Sequence, residues 1–518
     1  MKVLTAEQMA YVDRTTIEKG TPGIDLMGNA GMEVFRFIRD TLGISSNIVI
    51  ISGKGNNGGD GFRVAELCAE NGCSVHVFLL GEKAKVKGNA ETFMEGFESL
   101  KGKIIEITAA EELEKHSEII MSANLIVDAI FGTGLKGDIE GLPASAIEII
   151  NSSAAAVMAV DIPSGVNAST GEVSQIAVKA DYTVTFGCPK VGHISPPGRN
   201  MCGVVEIADI GFSEEVMDAV DPAGYTLTST EAAQLIPKRS YNAHKGSTGK
   251  LFLLAGSVGM TGAAVLSSMS AIRSGAGMVT VGCPESLNDI LEIKLTEVMT
   301  RPLPEVRRKR CLSSRALGLI RKVVANADVV AVGPGLGTYV ETSELVRRFI
   351  SKYEGRIVLD ADGINAFKGN HEALKTAPAD IVLTPHYGEL SRIIDMTIEE
   401  IAADPSEAVK KASKLTGKII LLKGAPTVIA NPQGEVWING TGNEGMATAG
   451  MGDVLTGIIS GFAVQGLDLF ESAILGAYIH GMAGDYAADE KGIHGMTAGD
   501  VLKHIPQTII DILAQDAV

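Results

Sequence analysis

Aromatic residues are scarce in this chain, 5% of 518 residues, which excludes the stacking platforms that hold single-stranded nucleic acid. Basic charge is also short. Against 62 Asp and Glu stand 45 Lys and Arg, a formal net charge of −17, and that field repels nucleic-acid phosphates and anionic membranes. No uncharged apolar stretch reaches the roughly 18 residues of a membrane span. The opening MKVLTAEQMAYVDRTT carries charge where a signal peptide needs an apolar run, so no leader is expected. Cys68, Cys73, Cys188, Cys202, Cys283 and Cys311 form no CxxC pair and no zinc-like grouping with histidine. They read as buried free thiols of a reducing, cytoplasmic compartment.

What is present is an ordinary soluble composition, 45% hydrophobic and 21% charged, on a chain too long for one core. Residues 47–52, 74–79, 124–128, 157–161 and 182–186 are short apolar runs that read as buried strands. Helical patterns such as 61–71 lie between them, which predicts βαβ units and a largely parallel sheet. Amphipathic helices are expected over 6–19 and 24–40. The alternation lapses in FSEEVMDAVDPAGYTL, 212–227, then restarts with strands at 250–254, 328–332, 356–360, 380–384 and 418–422 and helices at 453–463 and about 470–488. The spacing predicts two α/β domains in tandem, 1–215 and 225–518.

Open parallel sheets bind ligands beyond the carboxyl ends of their strands. In the first half those ends carry Gly53-Lys54-Gly55-Asn56-Asn57-Gly58-Gly59-Asp60-Gly61, then Gly132-Thr133-Gly134-Leu135-Lys136-Gly137-Asp138 after Asp128, then Asp161-Ile162-Pro163-Ser164-Gly165. Glycine permits positive φ and close approach, and its N–H groups can cradle a pyrophosphate without basic side chains. One such loop can be merely structural. Three at consecutive strand ends, with an Asn pair and two aspartates beside them, predict a site.

GKGNNGGDGFRVA, DAIFGTGLKG and DIPSG, in that order, resemble the signature of the NAD(P)H-hydrate epimerase family over roughly residues 1–215. The resemblance implies a Rossmann-like, three-layer fold. It also implies that Asn56, Asn57, Gly58, Gly59 and Asp60, with Gly132, Thr133, Gly134, Leu135, Lys136, Gly137 and Asp138, hold the hydrated dinucleotide. A potassium ion on Asn57, Asp128 and Ser164 is implied too, and such oxygen donors suit a hard cation. Asp161 would face the substrate as acid/base. The hydrated carbon is a hemiaminal, so a carboxyl that moves a proton at its hydroxyl can open and reclose the centre, by ring opening or by loss and return of water.

The second half repeats the logic. Gly256 to Gly262, Gly333 to Gly337, Asp360 to Gly363, Thr384 to Glu389 and Lys423 to Pro426 follow successive strands, and Thr448-Ala-Gly-Met-Gly-Asp453 leads into an apolar helix. A Gly-x-Gly-Asp turn opening a helix aims unpaired N–H groups and the positive dipole end at one point, an anion hole for a transferring phosphoryl group. Asp453 at that point can take the proton of the attacking hydroxyl.

HKGSTG, GPGLG, DADGINAF, TPHYGEL, KGAPT and GMGDVLTG, spanning 244–457, are similar to the NAD(P)H-hydrate dehydratase family of the ribokinase-like superfamily. The resemblance implies that Ala263, Gly337 and His386 contact the hydrated dinucleotide. Lys423, Gly424, Ala425, Pro426, Thr427 and Gly452 would contact the nucleotide, and Asp453 would act as base. Magnesium is expected with the nucleotide; resemblance to fused prokaryotic enzymes implies ADP over ATP as phosphoryl donor. A homo-oligomer is expected, with small-molecule partners and neither nucleic acid nor membrane. Two other readings compete: a vitamin-precursor kinase, which leaves 1–215 unexplained, and a non-catalytic binding module in the N-terminal half, against which Asp161 and the intact NNGGDG block argue.

Overall fold

Strands rich in Val, Ile and Leu, the central ones buried on both faces, build the first sheet: β1 (Asn47–Ser52), β2 (Ser74–Leu80), β3 (Ile104–Ile107), β4 (Leu125–Ala129), β5 (Ala156–Val160), β6 (Tyr182–Phe186) and β7 (Val204–Ala208). All pair in parallel in the order β3-β2-β1-β4-β5-β6-β7. The order reverses between β1 and β4, which opens a crevice at their carboxyl ends. One face packs Ile48, Ile50 and Val77 against helices carrying Val34, Phe62 and Phe97. The other packs Val49, Ile51 and Phe78 against Ile147 and Ile150.

The computed structural model describes residues 1–43, 47–135 and 137–515, which divide into two compact units, Met1–Ala223 and Gly224–Val518. Helix Glu214–Ala219 belongs to the first of these, with Val216 buried among Leu4, Met9 and Val12. The proposed limit at 215 thus falls inside that helix.

In the second unit β8 (Lys250–Leu254), β9 (Met278–Pro284), β10 (Met299–Leu303), β11 (Val329–Val332), β12 (Arg356–Leu359), β13 (Asp380–Leu383), β14 (Ile419–Leu422), β15 (Thr427–Ala430) and β16 (Val436–Asn439) lie in the order β10-β9-β8-β11-β12-β13-β14-β15-β16. Pairing is parallel as far as β14 and antiparallel beyond it. Here the order reverses between β8 and β11, and helix Met451–Ala463 covers that region with Val454, Leu455, Ile458 and Phe462 in the core.

Three details differ from the sequence reading. The NNGGDG block is not a loop: helix Asn56–Glu70 begins with it. None of Gly53, Gly55, Gly58, Gly59 or Gly61 has positive φ. These glycines serve close approach instead, since a Cβ on Gly58 would lie 2.0 Å from the Gly53 carbonyl oxygen and one on Gly61 2.6 Å from Ala129. Asp161 lies one residue past β5, not inside it. Thr427 opens β15 and so leaves the turn before it.

Candidate active sites

In the first unit a cleft of about 570 Å³ opens at the carboxyl end of the sheet, lined among others by Asp13, Lys54, Asn56, Asn57, Asp60, Asp161 and Lys190. Gly132, Thr133, Gly134 and Leu135 line it too. Gly58 and Gly59 face away, the latter toward Met27 and Ala90. Gly137 and Asp138 are not among the lining residues, and Lys136 lies outside the described residues.

Asp161 sits at φ +65°, a conformation that side-chain-bearing residues seldom hold away from functional sites. Its N–H donates to the Val184 carbonyl at 2.8 Å. Its carbonyl meets His193 Nε2 at 2.9 Å, while His193 Nδ1 accepts from the Lys190 N–H, so the ring proton is on Nε2. Burial pushes His193 down to about 4, and the ring stays neutral.

The Asp161 carboxylate takes a 2.7 Å bond from Lys190 Nζ and a 3.0 Å bond from Thr185 Oγ1. Burial raises its pKa, but the Lys190 ammonium, the bonds to it and Thr185 outweigh burial and hold Asp161 below the usual range. Asp60 and Asp13 show the reverse. Burial and the negative Asp161 raise both, Asp60 well above the usual range.

Behind the cleft wall Asp128 accepts from Ser164 Oγ at 2.7 Å, Ser164 N at 2.8 Å and Ile130 N at 3.2 Å. Ser164 Oγ also accepts from Phe131 N at 2.9 Å. The Asn57 side chain lies against Gly132 with its amide nitrogen buried and, among the described residues, unpaired. Burial, partly offset by these bonds, raises Asp128 to about 6.

The second site forms around Lys423. Its Nζ donates to Asp360 Oδ1 at 2.8 Å and lies 3.8 Å from Glu389; Thr384 Oγ1 donates to the same Asp360 oxygen at 2.8 Å. A bridge pairs His386 with Lys423, and a Cβ on Gly452 would meet Lys423 Nζ at 3.2 Å, so these three predicted residues share one rim. His386 caps helix Tyr387–Ile393 through Nδ1, which accepts the Gly388 N–H at 3.0 Å. Gly424 lies against Tyr387. A Cβ on Gly335 would touch Ala263, and Gly337 N donates at 2.8 Å to Oδ2 of Asp362, whose charge reaches Asp453.

Helix Met451–Ala463 is capped by Gly450 at φ +94°, with no side-chain cap. Asp453 is its third residue, not its N-cap, so the free N–H groups remain for a ligand. Burial and the negative Asp360 push Asp453 up to about 7, with Lys423 only partly opposing them. His480, on helix Leu469–Lys491, lies beneath this turn; burial lowers it to about 4, and its Nε2 has no partner among the described residues.

Sequence reasoning missed Thr185, Lys190 and His193, although GCPKVGH follows β6 directly and the strand-end rule applied there as well. It also passed over the ionic roles of Asp360 and Glu389, which stood inside motifs it had quoted.

Fold and sites define a two-domain α/β enzyme, each unit built on a largely parallel sheet. Residues 23–192 match the family model of the YjeF-related protein N-terminus, and 251–507 match that of NAD(P)H-hydrate dehydratase. The bifunctional NAD(P)H-hydrate repair enzyme Nnr of Moorella thermoacetica is 41% identical over 513 residues, 98% of this chain and 97% of that one. Its counterpart from Thermofilum pendens is 36% identical over 98% and 96%. The Bacillus subtilis ADP/ATP-dependent NAD(P)H-hydrate dehydratase, co-crystallised with ATP and Mg2+, is 27% identical over 56% of this chain and 99% of that chain, TM-score 0.48. The chain belongs to the family of bifunctional NAD(P)H-hydrate repair enzymes.

Proposed function

We propose that this protein repairs hydrated NADH and NADPH. The first unit interconverts the R and S hydrates, and the second dehydrates the S hydrate with ADP or ATP as phosphoryl donor. The observation that carries the reading is Asp453 in the first turn of a glycine-capped helix, a raised carboxyl beside an anion hole.

Asp453 takes the proton of the ring hydroxyl, whose oxygen attacks the terminal phosphorus of the nucleotide. The phosphoanhydride bond breaks and the shortened nucleotide leaves, stabilised by the N–H groups at Met451 to Asp453 and by the Lys423 rim. The ring nitrogen then expels the phosphate, and loss of the neighbouring carbon's proton restores the dihydropyridine. Magnesium would arrive with the nucleotide and would supply positive charge to its phosphates.

In the first unit Asp161 acts at the hemiaminal. Asn57, Asp128 and Ser164 offer only hard oxygen ligands, and Asp128 is a buried carboxylate without a cationic partner among the described residues. That donor set fits a potassium ion, which would supply positive charge near the bound dinucleotide. We further infer a cytoplasmic location, supported by six free cysteines; among the described residues no helix is long and apolar enough to cross a membrane.

The test is to incubate the protein with mixed hydrate epimers and either nucleotide and follow dihydronicotinamide absorbance. Full recovery is expected, with AMP formed from ADP or ADP from ATP. Recovery without nucleotide turnover would overturn the mechanism, and a strong preference for ATP would overturn ADP as the donor.

A further inference from the structure

The epimerase cleft holds three carboxyl groups and one buried ammonium, and their partners are unequally shared. Lys190 Nζ, on a side chain 1% exposed, donates to Asp161 Oδ1 at 2.7 Å, Thr185 Oγ1 at 2.7 Å and the Phe186 carbonyl at 3.1 Å. An ammonium has three protons to donate, and all three are engaged. Lys190 is therefore neither a free proton donor nor a free contact for substrate. Its charge serves Asp161, whose main chain is fixed on both sides by Val184 and His193. Asp60 and Asp13 have neither a hydrogen-bond nor an ion-pair partner among the described residues.

The chemistry at a hemiaminal asks for two different carboxyl groups. Breaking the carbon–oxygen bond needs a proton delivered to the hydroxyl and leaves positive charge on the ring nitrogen and carbon. One group must carry a proton, and another is best kept negative throughout. Asp60 is buried, one helical turn in from Asn56 and Asn57, and points into the same cleft as Asp161. Asp13 is half-buried on helix Ala6–Glu18.

We propose that Lys190 is a positioning residue that makes Asp161 the permanently ionised carboxylate of this cleft, and that Asp60 carries the proton to and from the substrate hydroxyl. The inference rests on the epimerase reading of the first unit. A proton passes from Asp60 to the hydroxyl oxygen, the carbon–oxygen bond breaks with its electron pair leaving on water, and the nitrogen lone pair forms the C=N bond. Asp161 stands opposite that cation. Water adds to the other face, and its surplus proton returns to Asp60. Atoms and charge balance with no further reactant.

The charged groups facing Asp60 are Asp13, Asp161 with Lys190, and Lys54 in the same cleft. Helices Gly23–Phe37 and Asn89–Ser99 present Leu26, Met27, Ala30 and Asn89 there, none of them charged. On Asp60's own helix Arg63 is paired with Glu66.

The test uses the full chain without nucleotide, so that dehydration is silent, and follows conversion of the R to the S hydrate by chromatography across pH. The wild-type kcat/KM should be bell-shaped, the acid limb reporting Asp161 and the alkaline limb Asp60. Lys190→Met should move the acid limb up by about one unit or more, the effect of withdrawing an adjacent opposite charge. Asp60→Asn should lower the rate by about 10²–10⁴ and abolish the alkaline limb, with the acid limb in place. Asp13→Asn should keep both limbs, the alkaline one shifted down because a like charge beside Asp60 is gone. Hydrogen exchange in β5 and β6 verifies folding; should Lys190→Met lose that protection, the limbs of the well-folded Asp60→Asn decide. An unmoved acid limb in folded Lys190→Met, or a wild-type rate in Asp60→Asn, would overturn the proposal alone. Transfer of the loss to Asp13→Asn would overturn the choice of Asp60. Absence of R-to-S conversion by the wild type would overturn the epimerase reading itself.

Discussion

Lys423 Nζ lies 2.8 Å from Asp360 Oδ1, so the ammonium nearest the anion hole is already matched by a buried carboxylate. Glu389 takes a further share of it at 3.8 Å. What remains does not offset the burial of Asp453, which is why that carboxyl is pushed up to about 7 and is half-protonated near neutrality. A base poised at the working pH follows from an ion pair that excludes it.

The pH dependence of dehydration has a definite sign. Asp453 must be ionised to accept a proton, so kcat/KM for the S hydrate should fall as pH drops through about 7 and level off above it. Asp360→Asn removes a like charge and should shift that limb downward. An acid limb near 4 in the wild type would contradict the assignment.

Replacing the carboxylate tests the same group directly. Asp453→Asn should cost about 10²–10⁴ in dehydration rate, because an amide cannot take the proton. Calorimetric nucleotide binding should persist, since the helix N–H groups and the Lys423 rim are untouched. A wild-type rate in a folded variant refutes the role.

The two activities should separate. Asp161→Asn should collapse epimer exchange while leaving dehydration of purified S hydrate near the wild-type rate, because Asp161 and Asp453 belong to different units. Unchanged exchange would remove Asp161 from the chemistry.

Gly58→Ala should destabilise the first unit severely, by about 2–4 kcal/mol, as overpacking against main chain does. The new methyl would lie 2.0 Å from the Gly53 carbonyl oxygen, which no side-chain rotation relieves. Chemical denaturation of the full chain, read by hydrogen exchange in β1 and β4, measures it.

The first unit should fold alone, but only with its last helix. We expect a 1–223 fragment to be clearly more stable than 1–215, since the shorter one loses Val216 from its contacts with Leu4, Met9 and Val12. It also loses three carbonyls, of Met217, Asp218 and Val220, that accept from Lys2 Nζ. Equal melting temperatures would place the boundary at 215 after all.

Central strands such as NIVIIS and KLFLL were legible because both faces are buried, which leaves an uninterrupted β-branched and leucine-rich run. The edge strands were not. In β7, VVEIA, Val204 is exposed and Glu206 interrupts the run, and β3 carries a glutamate as well. The NNGGDG glycines were misjudged as a loop because helix propensity disfavours them, whereas tertiary packing on Gly53 and Ala129 requires them in the helix. Asp161 and Asp453 could be located by strand-end and helix-start rules, which are local. The Lys190–Asp161 and Lys423–Asp360 pairs join residues 29 and 63 positions apart, so only the folded sheet reveals them.

The opening turn of helix Asn56–Glu70 presents its ligand-facing side as main-chain N–H and amide groups on a chain of net charge −17. Neutral dipoles act at contact distance, while the net charge acts over about 10 Å at ordinary ionic strength. On the proposed reading of this cleft, an anionic dinucleotide is repelled on approach and held on arrival. With Lys190 committed to Asp161 and Lys54 the other lysine of the cleft, added salt should screen the repulsion without unmaking the contacts, so association should quicken with ionic strength.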